Sequence, residues 1–163
     1  MADVVDRATR SRMMAGIRGV NTRPELRLRS ALHRLGFRFR VHDQRLPGRP
    51  DLVLPRHRAA IFVHGCFWHR HEGCHWCTTP ASNSEFWSAK FAANVERDLR
   101  HQEALREAGW RVAVVWECAL RQDEHLAVAE IARWLVSSEP GWESTLIRER
   151  AGPSANRSRR RPT

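Results

Sequence analysis

The sequence contains 163 residues, 42% of them hydrophobic, which suffices for one domain with its own core and a short tail. Lysine and arginine number 28 against 18 acidic residues, and the net charge of +10 indicates a polyanionic partner, because basic surfaces attract phosphates and release counterions. No apolar run is long enough to cross a bilayer, and the opening MADVVDRATR lacks the apolar stretch of a secretory signal, so we expect a cytoplasmic protein.

The first predicted elements are an arm, a helix and a strand. Residues 1–20 are basic and polar and predict an arm with some helix. A helix follows, with Thr22 as its cap, Pro24 in its first turn and Gly36 at its end. Its expected apolar face consists of Leu26, Leu28, Ala31, Leu32 and Leu35. Residues 37–41 alternate with period two, as a half-buried strand does.

The remaining elements alternate between strands and helices. In chain order they are a strand at 51–54 after a Pro-Gly-Arg-Pro turn, a strand at 59–63, a Cys/His-rich loop at 64–80, a helix at 84–108, a strand at 110–116, and a helix with Leu126, Ile131 and Leu135 on its apolar face. This order predicts an α/β fold with a single mixed β-sheet flanked by helices. We divide the chain into the arm at 1–20, a folded domain at 21–150 and a basic tail at 151–163, whose composition predicts disorder.

Two acidic residues and a histidine are candidates for hydrolytic metal chemistry. Asp51 opens a strand after a tight turn, so we expect its carboxylate at an edge of the sheet, and His64 ends the next strand. If these strands are neighbours, both side chains and the Val63 carbonyl meet at one spot, where Mg²⁺ would find hard oxygen ligands. The alternative for Asp51 is a role in the turn, and Glu25 also fits a capping box that begins at Thr22.

Cysteine and histidine cluster in the loop after the second buried strand. Cys66, His71 and Cys74 lie within nine residues, and Cys118 follows the last central strand. In a reducing compartment such clustering indicates metal ligation, and four protein ligands predict a structural zinc ion that would order the loop. Cys77 forms a Cys-x-x-Cys pair with Cys74 and is an alternative ligand.

Large aromatic side chains flank the same loop. Phe67 and Trp68 follow Cys66, and Trp87 lies near the start of the next helix. Rings held outward by a metal-pinned loop could insert between base pairs and open a duplex, which costs least at mispaired sites. The alternative is that these rings simply pack over the loop.

Several blocks of the sequence together resemble the very-short-patch-repair (Vsr) mismatch endonucleases. They are PGRPD at 47–51, VHGCFWH at 63–69, EFW at 85–87, NVERD at 94–98, and GWRV through VWEC at 109–118, with Thr9-Arg10-Ser11 and Met14 in the arm. The resemblance covers about residues 3–135. It implies a fold related to the PD-(D/E)xK restriction endonucleases, and Mg²⁺-dependent nicking 5′ to the T of a T:G mismatch that arises when 5-methylcytosine deaminates.

The resemblance also implies roles for individual residues. Asp51 matches the metal-binding carboxylate, with the Val63 carbonyl as a second ligand, and Glu25 matches a water-mediated metal contact. His69 is similar to the general acid/base, assisted by His64. The DNA-contacting residues implied are the intercalating Phe67, Trp68 and Trp87, the minor-groove wedge Met14, and Lys90 and Asn94 near the mismatch.

The partners expected from the resemblance are duplex DNA with a T:G mismatch and, downstream, mismatch-repair proteins and a DNA polymerase. We expect a monomer at the nucleoid. The tail after Ala151 lies outside the resemblance, and some relatives have one residue fewer between the equivalents of His71 and Cys74.

Two other functions are compatible with the residues. A noncatalytic zinc module would bind distorted DNA without cutting it. A restriction endonuclease would cut both strands and so linearise a plasmid.

Overall fold

The computed structural model describes residues 6–16 and 19–145, so the tail predicted at 151–163 lies outside the described residues. The elements are α1 (Arg7–Ala15), α2 (Arg23–Arg34), β1 (Arg40–Val41), β2 (Leu52–Leu54), a 3-10 helix (Pro55–His57), β3 (Ala59–His64), α3 (Ser84–Glu107), β4 (Arg111–Trp116), α4 (Glu117–Gln122), α5 (Glu124–Val136) and β5 (Gly141–Glu143). Within the described ranges, no helix combines the length and the apolar character needed to cross a membrane.

The strands form one mixed sheet in the order β1-β2-β3-β4-β5, which confirms the predicted α/β architecture. β1, β2 and β3 are antiparallel neighbours, with Val41 opposite Leu52 and Leu52 opposite Ile61. β3 and β4 run parallel over their full length, and β4 also pairs in parallel with β5. The long helix α3 connects β3 to β4, as parallel neighbours require.

Side chains of the central strands alternate between two cores because successive residues of a strand point to opposite faces. Ile61 and Val115 enter the larger core, together with buried residues of α2, α4 and α5. Ala60 and Val112 enter a smaller core on Leu105 of α3. The sheet therefore has α2, α4 and α5 on one face and α3 on the other.

Glycines end two of the helices as the sequence predicts. Gly36 and Gly109 have φ of +93° and +82°, a left-handed conformation that other residues adopt at a cost. In each case the next N–H reaches back to a helix carbonyl, from Phe37 to Leu32 at 3.1 Å and from Trp110 to Leu105 at 2.9 Å.

Several predicted details are wrong. Only Arg40 and Val41 of the 37–41 segment pair as a strand. Phe37 and Phe39 do pack against the core, so the period-two pattern reflects the burial of these side chains and not strand pairing along the whole segment. Among the residues assigned to apolar faces, Leu26 (49%), Leu35 (57%) and Leu126 (42%) are exposed. Helix α4 and strand β5 were not predicted, because α4 follows β4 without a turn residue and β5 has three residues.

Arg111 lies at the start of β4, at the end of the sheet away from His64, and connects this end to helix α5. Its guanidinium lies 4.4 Å over the Trp134 ring, measured to the ring centroid. It donates hydrogen bonds to the backbone carbonyls of Trp134 (2.6 Å), Glu139 (2.8 Å), Leu135 (3.2 Å) and His57 (3.3 Å). One planar side chain thus joins the end of α5, where the Trp134 carbonyl also accepts from Ser137, to the backbone at Glu139 and His57.

We expect Arg111→Lys to lower the free energy of unfolding by about 2–3 kcal/mol, because lysine cannot reach these carbonyls together and leaves part-buried acceptors unsatisfied. Urea unfolding followed by far-UV circular dichroism measures the change. The control is Arg133→Lys on the exposed side of α5, which should change stability by less than about 0.5 kcal/mol. Equal losses in both variants would contradict the role given to Arg111.

Candidate active site

An open groove is lined by α1, the start of α2, the turn before β2, the end of β3 and the start of α3. Most of the residues singled out in the sequence line it: Met14, Glu25, Asp51, Val63, His64, Trp68, His69, Trp87 and Lys90. Phe67 and Asn94 lie behind this lining. Phe67 packs edge-on against Trp68, and the Asn94 side-chain amide donates a hydrogen bond of 3.2 Å to the Trp68 carbonyl.

Asp51 is held between the neighbouring strands. Its Oδ2 accepts a hydrogen bond of 2.7 Å from the Val63 N–H, and its Oδ1 lies 3.7 Å from Nδ1 of His42. The carboxylate is largely buried rather than at an exposed edge. Burial, assisted by the nearby Glu25 carboxylate, raises the pKa of Asp51 to about 7, although the Val63 N–H opposes the rise. A buried carboxylate whose pKa is raised in this way is a suitable ligand for a cation, because a positive charge stabilises its ionised form.

Glu25 is only 2% exposed and accepts several hydrogen bonds. Its Oε2 accepts from the Asn21 N–H at 2.9 Å and from Arg29 at 2.9 Å, and its Oε1 accepts from the Thr22 hydroxyl at 3.0 Å. These contacts are not the capping box considered from the sequence, because Thr22 makes no side-chain cap hydrogen bond and Glu25 accepts from the N–H of Asn21 rather than from that of Thr22. Glu25, His42 and Asp51 also form a cluster whose ligand atoms lie within 4.8 Å of one another.

A second cluster contains His64, His69 and Asp98. The two imidazoles stack with centroids 3.9 Å apart, and His69 Nδ1 lies 2.5 Å from Asp98 Oδ2. Burial, and secondarily the neighbouring His69, lower the pKa of His64 to about 3, so its ring is neutral. The structure thus places His64 in a cluster different from that of Asp51, whereas the sequence placed them at one spot; both clusters line the same groove.

Sequence reasoning missed His42, Asp98 and Arg29. Asp98 follows Asn94 by one helical turn, and both side chains contact the same loop, so their i,i+4 spacing was a usable signal. His42 continues β1 opposite Asp51, but it adopts φ of +47°, which no sequence pattern indicated. Arg29 lies on the buried side of α2 and resembled an ordinary surface charge.

Cys66, His71, Cys74 and Cys118 converge as predicted. All four are buried, and their ligand atoms lie within 4.8 Å of one another. His71 Nδ1 is 3.3 Å from Cys118 Sγ and 3.7 Å from Cys66 Sγ. A hydrogen bond with Cys118, together with burial, raises the pKa of the Cys66 thiol. Thiolates here need a cation, so the donor set fits a transition-metal ion.

Two contacts fix this cluster within the fold. The His71 ring stacks on Trp116 with centroids 4.1 Å apart and planes 2° from parallel. Trp116 is held in turn by its indole N–H, which donates to Glu143 at 2.5 Å. Cys77 is buried in the same apolar cluster as the three other cysteines but is not one of the four converging residues.

Aromatic side chains form a platform beside the groove, which we define as Phe67, Trp68, Trp87 and Phe91. Ring centroids are 5.0 Å apart for Phe67–Trp68, 5.2 Å for Phe67–Phe91 and 5.4 Å for Trp87–Phe91. Phe67 and Trp68 are half-buried, whereas Trp87 is 8% exposed. Trp87 therefore reaches the groove with only a small part of its ring.

Comparisons with known proteins identify the family. A sequence model described as "DNA mismatch endonuclease Vsr" matches residues 2–76. The protein of that name from Escherichia coli (strain K12) is 53% identical over 126 residues, covering 77% of this chain and 80% of the relative. The chain belongs to the Vsr family. It is therefore a DNA endonuclease, and the family implies a restriction-endonuclease-like fold for its sheet.

Other Vsr-family relatives are named as nicking enzymes. The type II nicking enzyme V.XorIIP of Xanthomonas oryzae pv. oryzae is 50% identical over 120 residues, covering 74% of this chain and 88% of the relative. The type II nicking enzyme V.NmeAIP of Neisseria meningitidis is 40% identical over 121 residues, with coverage of 74% and 86%. The family resemblance inferred from the sequence is confirmed.

We expect Cys118→Ser to release a metal ion that the purified Vsr-family chain otherwise holds at one equivalent, because it removes one of four converging ligands. Elemental analysis by mass spectrometry measures the content. Cys77→Ser is the matched control and should keep the full equivalent. Loss of metal in Cys77→Ser with retention in Cys118→Ser would show that the fourth ligand is misassigned.

Proposed function

We propose that this endonuclease nicks double-stranded DNA on the 5′ side of the T in a T:G mismatch, the lesion left by deamination of 5-methylcytosine, and that it requires Mg²⁺. The supporting observation is that a buried carboxylate, a carboxylate-held histidine and a half-buried tryptophan (Asp51, His69 and Trp68) line one groove. Hydrolysis needs the first two, and the opening of a mispaired duplex needs the third.

The Asp51 carboxylate would hold the Mg²⁺ together with the Val63 carbonyl, and Glu25 would contact it through water. The fit rests on the chemistry of the donors and on the raised pKa of Asp51, which a bound cation would reverse. When bound, the ion supplies polarisation of the scissile phosphate and charge stabilisation at the leaving oxygen.

His69 is proposed as the general acid/base. Its Nδ1 faces Asp98, so in the neutral ring the proton sits on Nδ1 and is donated to the carboxylate. This leaves the Nε2 lone pair to take a proton from the attacking water. The neutral His64 ring stacks on His69 and restricts its rotation.

Recognition of the mismatch is proposed for the aromatic platform and the arm. Phe67, Trp68 and Trp87 would insert from one groove of the DNA, and Met14 of the arm at 1–20 would enter from the other. Lys90 is exposed with its Nζ 5.8 Å from the Trp68 ring centroid, close enough to contact a phosphate beside an inserted ring. Asn94 would act near the mismatch and also holds the loop through the Trp68 carbonyl.

A zinc ion is proposed for the Cys66, His71, Cys74 and Cys118 cluster. Four protein ligands close a tetrahedral site, which makes the ion structural. It would anchor the loop that carries Phe67 and Trp68 within the endonuclease domain at 21–150. The monomeric enzyme would act at the nucleoid in the cytoplasm, where its DNA substrate lies, and hand the nick to mismatch-repair proteins and a DNA polymerase.

A nicking assay on labelled duplexes tests the function as a whole. Cleavage of the T-containing strand of a T:G duplex in Mg²⁺, with no cleavage of the paired T:A duplex, supports the proposal. Linearisation of a plasmid would instead indicate a restriction endonuclease, and binding without scission would indicate a noncatalytic module.

Asp51→Ala should lower the nicking rate by about 1,000-fold or more, because it removes the carboxylate that is proposed to hold the metal directly. Affinity for T:G duplex, measured by fluorescence anisotropy, should fall less than about threefold. Asp43→Ala is the control, since this carboxylate pairs with Arg45 outside the groove. Normal nicking by Asp51→Ala would show that the metal site is elsewhere.

Trp68→Ala should reduce the preference for T:G over T:A duplex by about tenfold, because one ring–base stack is worth about 1–3 kcal/mol. The ratio of dissociation constants for the two duplexes measures the preference. Trp76→Ala is the control, since Trp76 stacks with Arg121 outside the groove. An unchanged ratio in Trp68→Ala would mean that Trp68 only packs over the loop.

A further inference from the structure

Arg29 lies behind Glu25 and His42, which line the groove, and its guanidinium contacts groups on three sides. Its guanidinium donates 2.9 Å to Glu25 Oε2 and 2.7 Å to the Asn21 side-chain oxygen, and it lies 2.7 Å from His42 Nε2. The side chain is 14% exposed. An arginine in such a position is fixed by its partners rather than solvated.

The contact with Arg29 determines the protonation of His42. A guanidinium has donors only, so His42 Nε2 must accept, and the ring is neutral with its proton on Nδ1. That Nδ1–H faces Asp51 Oδ1 at 3.7 Å. His42 is therefore not a cation that could balance either carboxylate, and its Nε2 lone pair is already used.

The charges of the cluster can now be assigned. Glu25 forms an ion pair with Arg29, and its oxygens also accept from Asn21 and Thr22. Asp51 has no lysine or arginine ion pair among the described residues. Of the two carboxylates that could attract a divalent cation, only Glu25 has an arginine partner among the described residues that competes with that cation.

We propose that Arg29 is a built-in cation of this site, which neutralises Glu25 and limits the Asp51 centre to one weakly held divalent ion in the absence of DNA. The inference rests on the metal site proposed above. A single carboxylate with a backbone carbonyl is a poor cage for a hard cation, which then depends on phosphate oxygens for further ligands. The centre therefore fills when DNA binds.

Direct Mn²⁺ binding tests this role without measuring activity. The full chain, with its Cys/His cluster loaded, is titrated with Mn²⁺ in the absence of DNA, and the signal of unbound Mn²⁺ is followed by electron paramagnetic resonance. Binding that disappears with Asp51→Ala is assigned to this centre. We expect one such ion in the unsubstituted chain, and Arg29→Gln should bind it at least about tenfold more tightly, because a positive charge has left the site.

The controls separate local charge compensation from a general loss of positive charge. Arg27→Gln removes a charge from the same helix, where Arg27 pairs with Glu124, and should leave Mn²⁺ binding unchanged. Arg29→Lys keeps the charge and should stay within about threefold of the unsubstituted chain. If Arg29→Gln does not fold, Arg29→Met removes the same charge with an apolar chain of similar length.

The double variant Glu25→Gln/Arg29→Gln shows whether the tighter Mn²⁺ binding of Arg29→Gln depends on the Glu25 carboxylate. We expect it to bind Mn²⁺ about as weakly as the unsubstituted chain, because the freed carboxylate is gone. An Arg29→Gln affinity equal to that of the unsubstituted chain overturns the inference while the Asp51 metal site stands. An equal increase in Mn²⁺ affinity in Arg29→Gln and in Glu25→Gln/Arg29→Gln overturns the inference as well. Absence of Asp51-dependent Mn²⁺ binding in every variant removes the proposed metal site and the inference with it.

Discussion

The hydrogen bond from the Val63 N–H to Asp51 joins the beginning of β2 to the end of β3, and the arrangement of the groove follows from it. Because these strands are antiparallel, the same register brings His42 opposite Asp51 on the other side. A carboxylate placed between two strands is shielded from water, which destabilises its charged form. The raised pKa of Asp51 is therefore a consequence of how the sheet is paired.

A second constraint acts on the loop after β3. The Cys/His cluster joins this loop to Cys118 just beyond β4, and α3 holds the loop from the other side through Asn94 and Asp98. The loop is thus attached at both ends of its course, although it has little apolar core of its own. Phe67 and Trp68 gain defined positions from these attachments, and His69 gains a defined orientation.

The parts of the structure that were predictable from sequence depend on local rules or on the chemistry of the residues. Gly36 and Gly109 indicated the ends of two helices, because a left-handed backbone conformation favours glycine. The four cysteine and histidine residues of the Cys/His cluster were recognisable as metal ligands by their residue types. His42 was not predictable, since its contribution depends on strand register and on a left-handed φ at a non-glycine residue.

The same limit applies to exposure and to charge. Leu26 and Leu126 were assigned to apolar faces by residue type, yet both lie away from the stripes of buried residues on α2 and α5 and are exposed. Arg29 is of a residue type that usually lies at the surface, yet it is enclosed by Asn21, Glu25 and His42. In both cases the residue type indicates one exposure, whereas the position around the helix and the neighbouring elements produce another.

The packing of the aromatic platform has a consequence for selectivity. Its rings already contact one another, as the distances from Phe67 to Trp68 and Phe91 show. If these rings insert into DNA as proposed, a ring that leaves its neighbour exchanges one stacking partner for another rather than gaining a contact from bare solvent. The energy needed to separate the bases would then contribute most to the difference between sites, and this proposed exchange would disfavour well-paired steps.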